Sequence, residues 1–455
     1  MGTKRQRERQ SELWIATADI MQAPGHAFYD RLNELLREYR FDDRVEHLCR
    51  RYYRGRMGRP SLAPGVYFRL LLVGYFEGLG SERGIAWRVA DSLSLRQFIG
   101  YGLDEKTPDH STISRTRRLF WLSTHQAVFG WVLRILAKEG LIAGRTAAID
   151  ATTLEANAAM RSIVRRDSGE RYDAYVRELA RAEGVEHATP EQRARFDRKR
   201  KKRTSNRDWR HPHDPDARVT KMKDGRTRMA HKAEHAVDTE TGAIMAVTLQ
   251  TADRGDTTTM KQTLKEAQKQ AKIASGRELS ETILDKGYHS DDVLTHMQER
   301  GVRAYIAEPE RGRRKWKGKG KAAEQQRLYA NRRRIRGGRG KALQRKRAEL
   351  AERSFAHMYE TGGMRRVHLR GHRNILKRLV VHAAGFNLAL AIRKRYAMGK
   401  PRQLQGLRSA VSGSVFAPSP GLWYHIRRFW AYCHQIGASC AVRPSASRVS
   451  AARRL

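Results

Sequence analysis

The chain has 455 residues, of which 91 are lysine or arginine and 48 are aspartate or glutamate, so its formal net charge is +43. This length predicts about two to four domains with a substantial apolar core. Such a charge excess repels itself unless a polyanion neutralises it, and the basic residues are spread along the whole chain. An extended nucleic-acid surface is therefore favoured over a single basic tail or a merely solvated surface.

The sequence also argues against a membrane span, a disulfide framework, a structural zinc site and secretion. It contains no stretch of about 18 uncharged apolar residues, and the best candidate, residues 66–75, includes a charge at Arg69, which argues against a membrane span. Cys49, Cys433 and Cys440 have neither the number nor the spacing of a disulfide framework or a zinc site. No signal-type apolar segment follows the charged N-terminus. A reducing cytoplasm is the expected location.

The first 140 residues predict a basic helical extension at 1–57 and a helical domain at 58–140. Helices are expected at 64–79, 81–98 and 111–138. Asp109 or Ser111 can cap the third helix, whose first turns carry Arg115, Arg117 and Arg118. This composition is typical of a DNA-reading helix in a helix-turn-helix, and equally of a basic surface helix.

Three carboxylates stand at the ends of apolar runs or on a helix further along the chain. Asp150 follows an apolar run in a strand predicted at 146–153, and Asp285 ends a second run in a strand at 282–284. Glu352 lies on a helix predicted at 342–359. Acids on separate elements can converge on hard divalent cations. Each acid also has a structural interpretation, as a strand-end cap, a turn residue or a solvated helix acid.

The intervening segments predict the rest of a catalytic region at 141–395. Residues 159–231 form a basic, polar insertion, interpreted either as disordered surface or as an arm that grips DNA, with Trp209 available to stack on a base. Residues 396–455 form a basic tail without an assigned role. The remaining expectations are a hairpin at 232–237 and 244–249, helices at 257–274, 290–299 and 373–394, and a strand at 304–307.

This order of elements matches an RNase H-like α/β fold, a mixed five-stranded sheet flanked by helices, here with an all-α N-terminal domain and basic insertions. The chain resembles the DDE transposases of bacterial insertion sequences over roughly residues 50–395. The matching stretches are Gly58-Arg-Pro-Ser61, Ile149-Asp-Ala-Thr-Thr-Leu-Glu-Ala-Asn157, Asp214-Pro-Asp-Ala-Arg218, Ala252-Asp-Arg-Gly-Asp-Thr257, Leu284-Asp-Lys-Gly-Tyr-His289, Glu352-Arg-Ser-Phe355 and Ala384-Gly-Phe-Asn-Leu-Ala-Leu390.

The resemblance implies that Asp150, Asp285 and Glu352 are the catalytic, metal-binding triad for Mg²⁺ or Mn²⁺, with two ions. In the family an arginine commonly precedes the glutamate by four residues and a lysine follows it by seven. Here those positions hold Ala348 and Tyr359, and Glu349 is the alternative third acid.

The resemblance also implies double-stranded DNA as the partner and a homodimer or larger assembly that holds both element ends. Arg347, Arg353, Arg365 or Arg366 would grip the end of the element. Apart from the resemblance, Lys286 and His289 are expected to contact DNA phosphate because they stand beside Asp285 in the sequence. The expected function is cleavage and strand transfer by a nucleoid-associated cytoplasmic transposase. The alternatives are a stand-alone Mg²⁺-dependent nuclease and a catalytically inactive, transposase-derived DNA-binding protein.

Overall fold

The computed structural model describes residues 25–53, 61–184, 189–199, 205–222, 224–310, 312, 316–318, 320–399 and 401. Nearly all of the predicted tail at 396–455 and the first 24 residues of the predicted extension lie outside the described residues.

The described part of the first 140 residues is helical, as predicted, with more breaks than expected. Ser92 accepts a hydrogen bond from the Leu95 amide and starts a new helix, because a serine side chain satisfies the free N–H groups of a helix start. The predicted third helix breaks at Phe120, whose buried ring packs on Tyr67. The helices are α1 (Ala27–Glu38), α2 (Phe41–Cys49), α3 (Pro64–Phe76), α4 (Glu82–Asp91), α5 (Leu93–Ile99), α6 (His110–Leu119) and α7 (Leu122–Lys138).

A six-stranded mixed sheet follows the helical region and confirms the predicted fold class. Its strands are β1 (Thr146–Glu155), β4 (Arg218–Lys221), β5 (Thr227–Asp238), β6 (Ile244–Thr251), β7 (Glu281–Leu284) and β8 (Arg303–Ile306). β1 pairs antiparallel with β5 and parallel with β7, and β7 pairs parallel with β8. On the edge of β5 opposite β1, both β6 and the short β4 pair with β5. β4 is the sixth strand, in addition to the five expected.

Helices cover both faces of the sheet. On one face, α10 (Asp256–Ser275) and α11 (Asp291–Glu299) bury apolar residues such as Met260 and Val293 against Ile149 and Leu284. On the other face, Leu343 of α13 (Gly338–Phe355) packs on Ile283 and Tyr305. Two further helices, α12 (Lys321–Arg336) and α14 (His372–Tyr396), complete this part of the fold. α14 packs against β6 and also against α3 and α7, and so joins the sheet to the helical region.

α14 is long and apolar enough to cross a membrane by length and composition, but 89% of its most apolar window is buried inside the protein. Its apolar residues therefore serve the core. The apolar run at residues 66–75 lies in the shorter helix α3.

The insertion predicted at 159–231 is ordered over much of its length. It contains α8 (Tyr172–Ala182), α9 (Pro190–Lys199) and a small sheet of β2 (Val164–Arg165) and β3 (Trp209–Arg210). Trp209 is 4% exposed and contacts the rings of Tyr172 and Tyr175. The prediction that Trp209 stacks on a base is therefore wrong, because the indole is the core of this small unit.

Candidate active site

Asp150 and Asp285 lie side by side because of strand register. Ile149 of β1 pairs with Leu284 of β7 in a parallel ladder, so the next residue on each strand is an aspartate. Ile149 and Leu284 both point into the core beneath α10 and α11. Since successive side chains alternate between the faces of a sheet, both aspartates point to the face covered by α13.

A tight turn after β7 holds Asp285 in place. The Asp285 carboxylate accepts a hydrogen bond from the Lys286 amide at 2.5 Å and caps a single turn of 3₁₀ helix over residues 286–288. A Cβ on Gly287 would lie 2.6 Å from Asp256 Oδ2, so the turn approaches the start of α10 closely, and a side chain at position 287 would displace the Asp256 carboxylate. This close approach brings a further carboxylate next to the turn.

Tyr288 ends this turn and is buried. Its hydroxyl donates a hydrogen bond to Glu234 at 2.9 Å. Burial raises the pKa of Tyr288 far above its usual value, and the negative charges of Glu234, Asp256 and Asp150 raise it further. The turn is therefore fixed to the core by a neutral phenol close to several carboxylates.

α13 crosses the sheet directly over the aspartate pair. Gln344 Nε2 donates hydrogen bonds to the carbonyl oxygens of Leu284 at 3.2 Å and Tyr305 at 2.8 Å. One turn later, Arg347 Nη1 donates to Asp150 Oδ2 at 2.7 Å. These contacts place a guanidinium, rather than a carboxylate, of α13 on Asp150.

The last part of α13 is anchored to His235, the cross-strand neighbour of Asp150 on β5. His235 Nδ1 lies 3.0 Å from Ser354 Oγ, and its Nε2 contacts the Tyr359 hydroxyl. Burial lowers the pKa of His235 to about 3, so the ring is neutral. Tyr359, seven residues after Glu352, lies in the helical turn Ala356–Thr361 after α13 and is buried against His235.

Glu352 and Glu349 are both exposed on α13. At about 100° per residue, Glu352 is turned by about 140° from Arg347, and in the described residues its side chain makes no hydrogen bond or ion pair. Glu349 pairs with Arg353 at 2.6 Å. Within the described part of the chain, no three His, Cys, Asp or Glu side chains are close enough to hold a metal ion. The structure thus brings two of the three predicted acids together.

The three arginines predicted to contact DNA in the helical region differ in how far they are buried. On α6, Arg115 and Arg118 are exposed. Arg117 is only 8% exposed and pairs with Glu82 at 2.6 Å. Arg117 therefore has a partner within the protein and is not available on the surface.

The residues predicted to contact DNA in the catalytic region also differ in exposure and in their ion pairs. Lys286 is exposed, whereas His289, three residues later, is buried. Arg365 pairs with Glu360 and lies 3.4 Å from Thr152 Oγ1, which belongs to β1. Arg366 remains largely exposed, 3.6 Å from the Glu155 carboxylate. Of these cations, Lys286 and Arg366 are the more accessible to a ligand.

The stretch Asp214-Pro-Asp was noted in the sequence without a role. Asp214 is fully buried, lies 3.1 Å from His231 Nε2 and accepts a hydrogen bond from the Gly371 amide at 3.2 Å. Asp216 accepts from the His372 amide at 2.9 Å. The motif therefore fastens the start of α14 to His231 of β5. In the sequence, the only sign of this structural role is that the two aspartates, Asp214 and Asp216, follow a basic segment.

Comparison with protein-family models gives two matches in chain order. Residues 17–119 match a family described as Transposase domain (DUF772), and residues 206–388 match Transposase DDE domain. A comparison with curated proteins finds no match, and neither does one with solved structures. With these matches and the RNase H-like sheet, the chain belongs to the DDE transposases, a family of phosphoryl-transfer enzymes that bind DNA and generally use divalent metals. Asp285 and Glu352 lie inside the second match, and Asp150 lies between the two.

Proposed function

We propose that this transposase binds the ends of its own insertion sequence, cleaves DNA there and joins the freed ends to target DNA. The observation that carries the proposal is the adjacent pair Asp150 and Asp285, placed on one face by the β1–β7 register. Carboxylate oxygens on neighbouring strands are the donor type that Mg²⁺ and Mn²⁺ prefer. The donor type of this aspartate pair therefore fits a divalent metal.

Asp150, Asp285 and Glu352 would hold two Mg²⁺ or Mn²⁺ ions, which supply stabilisation of the charge on the attacking and leaving oxygens of phosphodiester transfer. The two aspartates are fixed by strand backbone, whereas Glu352 belongs to the helix that crosses above them. Its exposed carboxylate has no competing partner among the described residues. Glu349 is the weaker alternative because Arg353 already pairs with it.

DNA would be held by cations that the structure leaves exposed, namely Arg115 and Arg118 on α6, Lys286 next to Asp285, and Arg366 at the far end of β1. Arg347 and Arg353 contact acids on or under α13, and Arg365 pairs with Glu360. The burial of Arg117 and His289 excludes them from this surface. We assign a homodimer or larger assembly, since two element ends must be joined together, and a location at the bacterial nucleoid.

The test is cleavage of a labelled duplex carrying the DNA that flanks this gene's borders, with Mg²⁺, Mn²⁺ or EDTA, by the full chain and by Asp150→Ala. We expect metal-dependent nicking at the borders that is lost in the variant. Metal-dependent cutting without border preference would instead identify a nuclease. Tight border binding without cleavage in any metal would identify an inactive DNA-binding derivative.

The same variants should separate binding from chemistry. Asp150→Ala should retain border binding that weakens steeply with salt, because each neutralised phosphate releases counterions. Retained cleavage in Asp150→Ala would contradict the assignment of the acids, and binding that does not respond to salt would contradict the proposed DNA surface.

A further inference from the structure

The ion pair between Arg347 and Asp150 lies at the centre of the proposed site. Both side chains are largely enclosed, with 14% of Arg347 and 23% of Asp150 exposed. Asp150 Oδ2 accepts from Arg347 Nη1 at 2.7 Å, and Oδ1 accepts from the Ala151 amide at 2.8 Å. Both oxygens of the carboxylate are therefore engaged by donors of the protein itself.

The Arg347 guanidinium is not fully satisfied by this arrangement. Its Nε is buried and has no hydrogen-bond partner in the part of the chain that the structure describes. A buried N–H group without an acceptor is unfavourable, and the loss is recovered if an acceptor arrives. The planar guanidinium suits two oxygens of one phosphate, because it can donate two parallel hydrogen bonds.

We propose that Arg347 is an exchangeable cation that holds Asp150 until DNA and a divalent ion are both present. A divalent ion bound by Asp150 would lie close to a guanidinium bonded to the same carboxylate, and two cations at such short range repel each other. A DNA phosphate beside the site offers Arg347 new acceptors for the unpartnered Nε and for Nη2, which lies on the same edge of the guanidinium. Movement of Arg347 to the phosphate frees Asp150 Oδ2 for the metal.

This exchange couples two binding events. If DNA draws Arg347 away from Asp150, DNA tightens metal binding, and by thermodynamic linkage the metal tightens DNA binding by the same factor. The coupling suppresses metal loading in the absence of DNA. This inference rests on the proposed function. It adds the requirement that DNA and the divalent ion bind together to assemble the site.

The first experiment measures the Mn²⁺ affinity of the full chain without DNA, from the EPR signal of free Mn²⁺. The variant is Arg347→Met, which keeps the packing of the aliphatic stem and removes the charge. We expect Mn²⁺ to bind at least about fivefold more tightly to this variant than to wild type, which is the lower end of ordinary coupling between sites. Arg345→Met is the matched control, because Arg345 lies exposed on the same helix two residues away, and its Mn²⁺ affinity should be unchanged.

The second experiment measures binding of the border duplex by fluorescence anisotropy, with Ca²⁺ or with Na⁺ at equal ionic strength. Ca²⁺ is used because it takes oxygen ligands, and a gel confirms that the duplex is intact. Ca²⁺ should tighten duplex binding to wild type at least about fivefold. The gain should be clearly smaller for Arg347→Met and unchanged for Arg345→Met.

The outcomes separate this inference from the proposed function. Asp150→Asn serves as the reference for the metal site. If wild type and Arg347→Met both lack Mn²⁺ binding that depends on Asp150, the proposed metal site fails and the exchange fails with it. If wild type binds Mn²⁺ through Asp150 but Arg347→Met binds it no more tightly, or keeps the full gain from Ca²⁺ on DNA, the exchange alone is overturned. A circular-dichroism melt of each variant confirms that it is folded.

Discussion

The acids of the candidate site come from two different kinds of element. Asp150 and Asp285 are placed by a backbone ladder, in which the pairing of Ile149 with Leu284 sets both side chains at once. Glu352 is placed by a helix whose position depends on side-chain contacts of Gln344, Arg347, Ser354 and Tyr359. Strand register shifts only in whole residues, whereas helix packing has many neighbouring solutions. The strand acids are therefore the better determined part of the site.

The largest expected effect is a loss of cleavage activity that distinguishes Glu352 from Glu349 as the third acid. Glu352→Gln should lower metal-dependent border cleavage by at least about 10²-fold, since a metal ligand contributes several kcal/mol to stabilisation of the transition state and each 1.36 kcal/mol is about a tenfold change in rate. Glu349→Gln should cleave at nearly the wild-type rate, because Glu349 pairs with Arg353 on the outside of α13. The reverse result would make Glu349 the third acid.

Two neighbouring arginines of α6 also differ in how tertiary packing uses them, although the sequence pattern around them is the same. Arg117→Ala should lower the free energy of unfolding by about 3–5 kcal/mol, because it leaves the enclosed carboxylate of Glu82 without its ion-pair partner. Arg118→Ala, one residue further on an exposed position, should leave stability unchanged and reduce the salt slope of DNA binding by about one. Urea unfolding and salt titration of both variants measure these effects. Weakened DNA binding by a fully stable Arg117→Ala would contradict the structural role of Arg117.

A glycine contact tests how strongly the helical region supports the chain segment that follows α13. Gly363 has φ +71°, and a Cβ there would lie 2.4 Å from the carbonyl oxygen of Gly78, in the link between α3 and α4. Gly363→Ala should cost about 1–3 kcal/mol for the left-handed backbone, with the steric clash in addition. Gly276→Ala is the control, because Gly276 has φ +69° with open space around its Cβ position. Equal losses of unfolding free energy in the two variants would show that the contact with Gly78 contributes nothing.

The smallest effect concerns the anchor of α13 on β5. Tyr359→Phe removes the hydroxyl that contacts His235 Nε2 and should lower the free energy of unfolding by about 1–3 kcal/mol, because a buried ring nitrogen loses its partner. Tyr329→Phe, at a ring that is 40% exposed, should change stability little. If Tyr359→Phe unfolds at the wild-type urea concentration, the position of α13 does not depend on this anchor.

Much of the catalytic region followed from local patterns. The hairpin, the strands with the two aspartates in or directly after them, and the helices that follow were predictable because alternation of apolar residues and capping signals act over a few neighbouring positions. The breaks at Ser92 and Phe120 were missed, since a serine cap inside a periodic segment and a buried phenylalanine between two helices leave the helical periodicity almost intact. The order within the insertion was missed because its core depends on Trp209 meeting two tyrosines more than 30 residues earlier.

The sequence alone predicted the class of fold, through the order of its elements, and the strands that carry or precede Asp150 and Asp285, because local periodicity determines these strands. Only the tertiary structure decided which cations are free, that Trp209 is buried, and that Arg347 rather than Glu352 contacts Asp150. Burial and ion pairing are the sum of contacts between segments far apart in the chain. A side chain such as Arg117 or Arg118 carries the same charge in either environment, so the sequence alone does not distinguish them.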